Sequence, residues 1–114
     1  AIIMTGSVTG IEGSKELLDY SMTKGGIHAF TRSLAGHLIP KGIRVNAVGP
    51  GAVITDMNAA WIHDPKAKAG VESHIPMGRA ATVDDIAPLY AFLASDEAAY
   101  ITGVTLPVAG GDLG

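Results

Sequence analysis

Pro40-Lys41-Gly42-Ile43-Arg44-Val45-Asn46-Ala47-Val48-Gly49-Pro50-Gly51 decides how this chain folds. Pro40-Lys41-Gly42 ends a helix, residues 43–48 read as a short strand, and Gly49-Pro50-Gly51 is a turn that breaks it. Upstream, the spacing predicts a helix from about residue 17 or 19 to residue 39, because Ile27, Phe30, Leu34 and Leu38 recur at threes and fours as one core stripe. Before it, residues 1–5 form an apolar, β-branched run without alternation, the pattern of a strand buried on both faces of a parallel sheet. Residues 6–13 read as a loop between the two.

Downstream the pattern weakens. Residues 55–78 are expected to form a mobile loop with helical turns near 56–62 and 65–74. Thr82 then looks like a helix N-cap, with Asp85 three positions on, and Ile86, Leu89, Tyr90 and Leu93 give the following helix an apolar face. Residues 105–108 form a third short strand and 109–114 a Gly-rich tail. No repeat, low-complexity tract or interdomain linker interrupts this order. The alternation β-α-β-α-β predicts an α/β fold, with three parallel strands joined by right-handed crossover helices. The outer edge of the first strand has no visible cover, and such an edge normally pairs with something.

Composition narrows the functional classes. The chain has 114 residues, 47% of them hydrophobic, and a formal net charge of -3. That is one small domain or part of a larger one. Mild acidity without a basic stripe argues against nucleic acid as a partner. There is no cysteine, so disulfides and thiolate metal sites are excluded, which fits a reducing, cytoplasmic setting. No apolar run approaches the ~18 residues that span a bilayer. Ala1-Ile2-Ile3-Met4 carries no basic leader pattern. Because the chain opens directly inside an apolar strand, we expect it to be cut from something longer.

One cluster carries chemistry. Tyr20 and Lys24 stand four apart on the predicted helix, hence on one face. A phenol ionises near ~10 in isolation, and a neighbouring ammonium favours the phenolate. Such a pair can give a proton to a carbonyl oxygen or take one from an alcohol. Ser7, at the end of the first strand, can hydrogen-bond the same oxygen, and the C-terminal ends of parallel strands are where α/β sheets place ligands. The bland alternative is a solvated lysine beside a half-buried tyrosine.

The order of motifs extends the cluster. Ile3-Met4-Thr5-Gly6-Ser7-Val8-Thr9-Gly10, Tyr20-Ser21-Met22-Thr23-Lys24-Gly25-Gly26, Gly42-Ile43-Arg44-Val45-Asn46-Ala47-Val48-Gly49-Pro50-Gly51, Pro76-Met77-Gly78-Arg79, Phe92-Leu93-Ala94-Ser95-Asp96 and Ile101-Thr102-Gly103 follow one another. Together they resemble the C-terminal half of the short-chain dehydrogenase/reductase family, closest in flavour to bacterial glucose/ribitol dehydrogenase-like and general stress oxidoreductases. The resemblance implies half of a Rossmann-like doubly wound sheet and hydride transfer between NAD or NADP and an alcohol or carbonyl substrate. It further implies that Ser7 orients the substrate, Tyr20 is the general acid-base, and Lys24 supports the tyrosine and holds the nicotinamide ribose. Pro50 and Gly51 would pack near the nicotinamide. The backbone of Val53 and the hydroxyl of Thr55 would anchor its carboxamide, and residues 56–77 would bind substrate. The family's Gly-rich phosphate turn and its catalytic asparagine have no counterpart in these residues. Gly49-Pro50-Gly51-Ala52-Val53-Ile54 lacks the third glycine. The resemblance therefore leaves open an inactive fragment that mainly self-associates, and it implies a homo-oligomer.

Other chemistries fit less well. A Gly-x-Ser-x-Gly hydrolase elbow fails at Thr5 and Thr9. His28 and His37 are expected on helix surfaces and His63 and His74 in the loop, without metal spacing. Asp84-Asp85 reads as a capping pair, Asn46 as a partner for backbone, and the Gly-rich tail as a segment near a subunit contact. Met57 and Trp61 line a substrate pocket or pack locally.

Overall fold

The computed structural model describes residues 1–112, so Leu113 and Gly114 of the expected tail lie outside the described residues. Three parallel strands, β1 (Ile2–Thr5), β2 (Val45–Pro50) and β3 (Thr105–Val108), form one sheet in the order β1-β2-β3. Thr5 pairs with Val48, and Ala47 with Thr105. Among the described residues, the outer edge of β1 pairs with no strand.

β2 runs through Pro50 instead of breaking before it. A proline removes a ladder donor, which a central strand rarely tolerates. Here β1 ends opposite Val48, so Pro50 lies beyond it and no bond is lost on that side. On the other side the chain stays in register, and Gly51 N–H donates to the Val108 carbonyl at 2.9 Å.

The segment after β1 is also more ordered than a loop. Ser7 is the N-cap of α1 (Val8–Glu12), its Oγ accepting the Thr9 N–H at 3.1 Å. Five residues are too few to show a helical period. Helix α2 (Leu18–Leu38) then packs across α1 and the sheet, and ends through a 3-10 turn, Ile39–Lys41, at Gly42 in the left-handed region.

The expected stripe holds in part: Ile27, Leu34 and Leu38 are half-buried, but the innermost residues of α2 are others. His28, Thr31 and Ala35 are buried, whereas Phe30 is 53% exposed. At Gly10 a Cβ would lie 2.6 Å from the Lys24 carbonyl carbon, and at Gly6 only 1.9 Å from His28 Nε2. Backbones approach closely there and the flat ring of His28 fills the space, whereas Phe30, two residues on, points round to the other side of the helix. His28 is thus an interior residue, not a surface one.

On the other face, α5 (Val83–Ala94) closes the main apolar core, where Ile86 and Leu93 meet Val48 and Ala98. Asp85 closes a capping box on Thr82, as the sequence predicts. Between β2 and α5 come a 3-10 turn (Asp56–Asn58), α3 (Ala59–Ile62) and α4 (Pro65–Glu72), the last capped by Asp64. Among the described residues, no helix is long and apolar enough to cross a membrane.

Candidate active site

Each side chain of the predicted site is delivered by the C-terminal end of a strand or the first turns of the following helix. Ser7 lies just past β1, Tyr20 and Lys24 occupy the first two turns of α2, and Pro50, Gly51, Val53 and Thr55 follow along the end of β2. All seven line one cleft of about 470 Å³. That lies within the ~300–1,000 Å³ of small-molecule pockets. Parallel strands place their carboxyl ends together, which is why residues distant in sequence converge there.

Lys24 is fixed from two directions. Its Nζ donates to the Thr5 carbonyl at 3.2 Å and stands 5.7 Å from the centre of the Tyr20 ring, within cation–π range. The four-residue spacing thus brings ammonium and phenol together. Ser7 is 7% exposed. With its Oγ accepting from Thr9, its own hydroxyl hydrogen is left to donate.

Val53 and Thr55 form the opposite wall. Val53 bridges to Ala81 through Ile54 N–H to Ala81 O and Ala81 N–H to Ala52 O, which leaves the Val53 N–H outside the bridge. The Val53 carbonyl is taken by the Asn58 side-chain amide at 2.6 Å. Among the described residues, the Val53 N–H therefore has no hydrogen-bond partner. Gly51 is required by close approach, since a Cβ would stand 2.9 Å from that of Ala109.

Several lining residues escape sequence reading. Thr5, Asn58, Val83 and Tyr90 all border the cleft. Tyr90 is legible only as part of an apolar helix face. Its hydroxyl in fact meets the Thr5 hydroxyl at 2.7 Å. Met57 lines the cleft, whereas Trp61 is half-buried in α3 away from it. Asn46, 1% exposed, bonds backbone as expected, donating to the Ile101 carbonyl and accepting from the Val104 N–H.

Comparison with known proteins adds to this geometry. Residues 1–112 match the family model described as enoyl-(acyl carrier protein) reductase. The chain is 47% identical over 111 residues to the glucose and ribitol dehydrogenase homolog of Oryza sativa subsp. japonica, covering 97% of this chain and 37% of that protein. It is 46% identical over 110 residues to glucose 1-dehydrogenase of Gluconobacter oxydans, covering 96% of this chain and 41% of that protein. Among solved structures, 3-ketoacyl-(acyl-carrier-protein) reductase from Brucella melitensis, complexed with NADH, superposes with a TM-score of 0.90 at 36% identity. That match covers 98% of this chain and 44% of that one. The chain thus spans about two fifths of the length of the proteins it matches.

Proposed function

This chain belongs to the short-chain dehydrogenase/reductase family, and from that premise we propose that it carries the catalytic half of an oxidoreductase dependent on NAD or NADP, acting on a small alcohol or carbonyl compound. The observation that carries the reading is the convergence of Ser7, Tyr20 and Lys24 with Pro50, Gly51, Val53 and Thr55 on one cleft.

The residues present fit the nicotinamide end of such a cofactor. Pro50 and Gly51 offer a narrow wall for a flat ring, and the free Val53 N–H and the Thr55 hydroxyl suit a carboxamide. Lys24 offers an ammonium for ribose hydroxyls. When bound, the nicotinamide supplies or accepts the hydride. Tyr20 gives its hydroxyl proton to the carbonyl oxygen in reduction and takes the proton of the alcohol in oxidation. The Ser7 hydroxyl donates to that same oxygen and holds it against the phenol. Lys24 places its ammonium beside the ring, 5.7 Å from its centre. A cysteine-free chain fits a cytoplasmic setting for this work.

Titrating the full chain with NADH and NADPH while following Trp61 fluorescence tests the cofactor arm, with saturable quenching expected. Tyr20→Phe should keep that quenching and lose turnover by about 10²–10⁴-fold. Turnover unchanged in Tyr20→Phe overturns the catalytic assignment.

A second reading, self-association of a catalytically silent chain, is favoured by the exposure of Leu18 (75%), Met22 (71%) and Phe30 (53%) along α2. Apolar surface of this kind rarely stays bare. Sedimentation at micromolar concentration reads it directly: a homo-oligomer supports association, and a stable monomer overturns it.

A further inference from the structure

Among the described residues, His28 is the one buried ionisable side chain outside the cleft lining, being 4% exposed on the sheet-facing side of α2. It stands behind Ser7. The Ser7 N–H donates to His28 Nε2 at 3.2 Å in a buried bond. At Gly6, where a Cβ would fall 1.9 Å from the same nitrogen, the ring lies flush against the backbone that leads into Ser7. Gly6 N–H is already used, donating to the Val48 carbonyl at 2.8 Å. Ser7 is the first residue past that ladder, so its buried N–H needs a partner. Left alone, a buried donor of this kind destabilises the fold.

From this we infer that His28 is a positioning residue for Ser7, its neutral imidazole accepting the Ser7 N–H and so fixing where the serine hydroxyl enters the cleft. The inference rests on the reading of Ser7 as the group that holds the substrate oxygen. Ser7 is then clamped at two points. Its N–H is held by His28, and its Oγ by the Thr9 N–H. With extended backbone (φ -167, ψ 150) and both ends tied, its hydroxyl hydrogen has little choice but the cleft.

The clamp requires Nε2 without a hydrogen, and therefore a neutral ring protonated at Nδ1. A second proton would set two donors face to face and release Ser7. The surroundings oppose that proton. Burial, and then the charges of Arg32 and Lys24, push the imidazole below its ordinary value of 6.5, while a backbone bond to Gly10 works the other way. Of the elements packed against this part of α2, β1 and β2 carry no ionisable side chain, and Glu12 of α1 is exposed. Among the described residues, no anion is buried beside the ring to reverse the effect.

The test reads Ser7 itself and needs no turnover. In proton–nitrogen NMR spectra of the full chain, the Ser7 amide should shift with the His28 titration, at a midpoint below 6.5, with the ring in its Nδ1-protonated form at neutral pH. His28→Val should raise Ser7 amide exchange about tenfold, the loss of one buried hydrogen bond, and His28→Gln, which keeps an acceptor, should recover most of the protection. A Ser7 amide that ignores the His28 titration overturns the inference, as does unchanged exchange in His28→Val. If His28→Val fails to fold, the wild-type titration alone decides. Since Tyr20→Phe turnover plays no part in this readout, the clamp and the oxidoreductase reading fail separately.

Discussion

The hydroxyl of Tyr90 meets that of Thr5 at 2.7 Å, joining α5 to the end of β1 across the floor of the cleft. The same threonine uses its carbonyl to hold Lys24. Tyr90→Phe removes only the hydroxyl bond. Because that bond is exposed, water replaces the lost partner, and destabilisation should stay under about 1 kcal/mol. Cofactor affinity is the more sensitive measurement, since a looser Thr5 loosens Lys24: a several-fold weaker NADH titration is expected in Tyr90→Phe. An identical titration curve would show that Thr5 needs no such support.

Asp85 gives the fold an acid-sensitive point. Both Arg79 nitrogens reach its carboxylate, at 2.7 and 3.1 Å, and the Thr82 N–H donates to it at 2.8 Å. Arg79 first, then the Thr82 N–H, hold the carboxyl well below its usual range. The folded state therefore binds this proton less readily than the unfolded one. The stabilisation is complete above the ordinary value of 3.8 and is lost as pH falls through and below it. Urea midpoints measured between pH 5 and 2.5 should fall less steeply in Asp85→Asn than in the parent chain. Parallel slopes would count against the linkage.

How much of this is legible in the sequence depends on range. The Tyr20–Lys24 pair is a four-residue relation on one helix, so spacing alone places it. The convergence of Ser7, Pro50, Gly51, Val53 and Thr55 follows from β-α-β order, since parallel strands share a carboxyl end. The burial of His28 in α2 is not legible, because hydropathy ranks Phe30 above His28, while the ring is seated by close approach to Gly6, far away in sequence. Likewise Pro50 reads as a strand breaker, since its harmlessness depends on where the neighbouring strand stops.

Gly6→Ala tests that packing. The new methyl would meet the imidazole of His28 far inside contact distance. Overpacking of this kind costs about 1–3 kcal/mol, seen as a lower urea midpoint. The double variant Gly6→Ala with His28→Ala frees the space, so its stability should exceed the sum of the single effects. Strict additivity would mean that the ring moves aside freely, contrary to its 4% exposure.

Arg44 closes the far end of the core beneath α5. It precedes β2, yet its guanidinium donates to the Leu93 carbonyl at 2.9 Å and to the Ser95 carbonyl at 3.1 Å. Those carbonyls belong to the end of α5, where helix geometry leaves acceptors without intrahelical donors and where positive charge is favoured. One side chain thus ties the C-terminus of the helix that walls the cleft to the strand that floors it. Arg44→Met keeps the apolar stem and removes the donors, so the effect reports bonding and not lost packing. Bonds from a charged donor are worth more than neutral ones, and a loss of about 2 kcal/mol is expected. Arg44→Lys should recover only part, because an ammonium does not reach two carbonyls with a planar fork. If Arg44→Met leaves the urea midpoint in place, α5 is held by its apolar face alone.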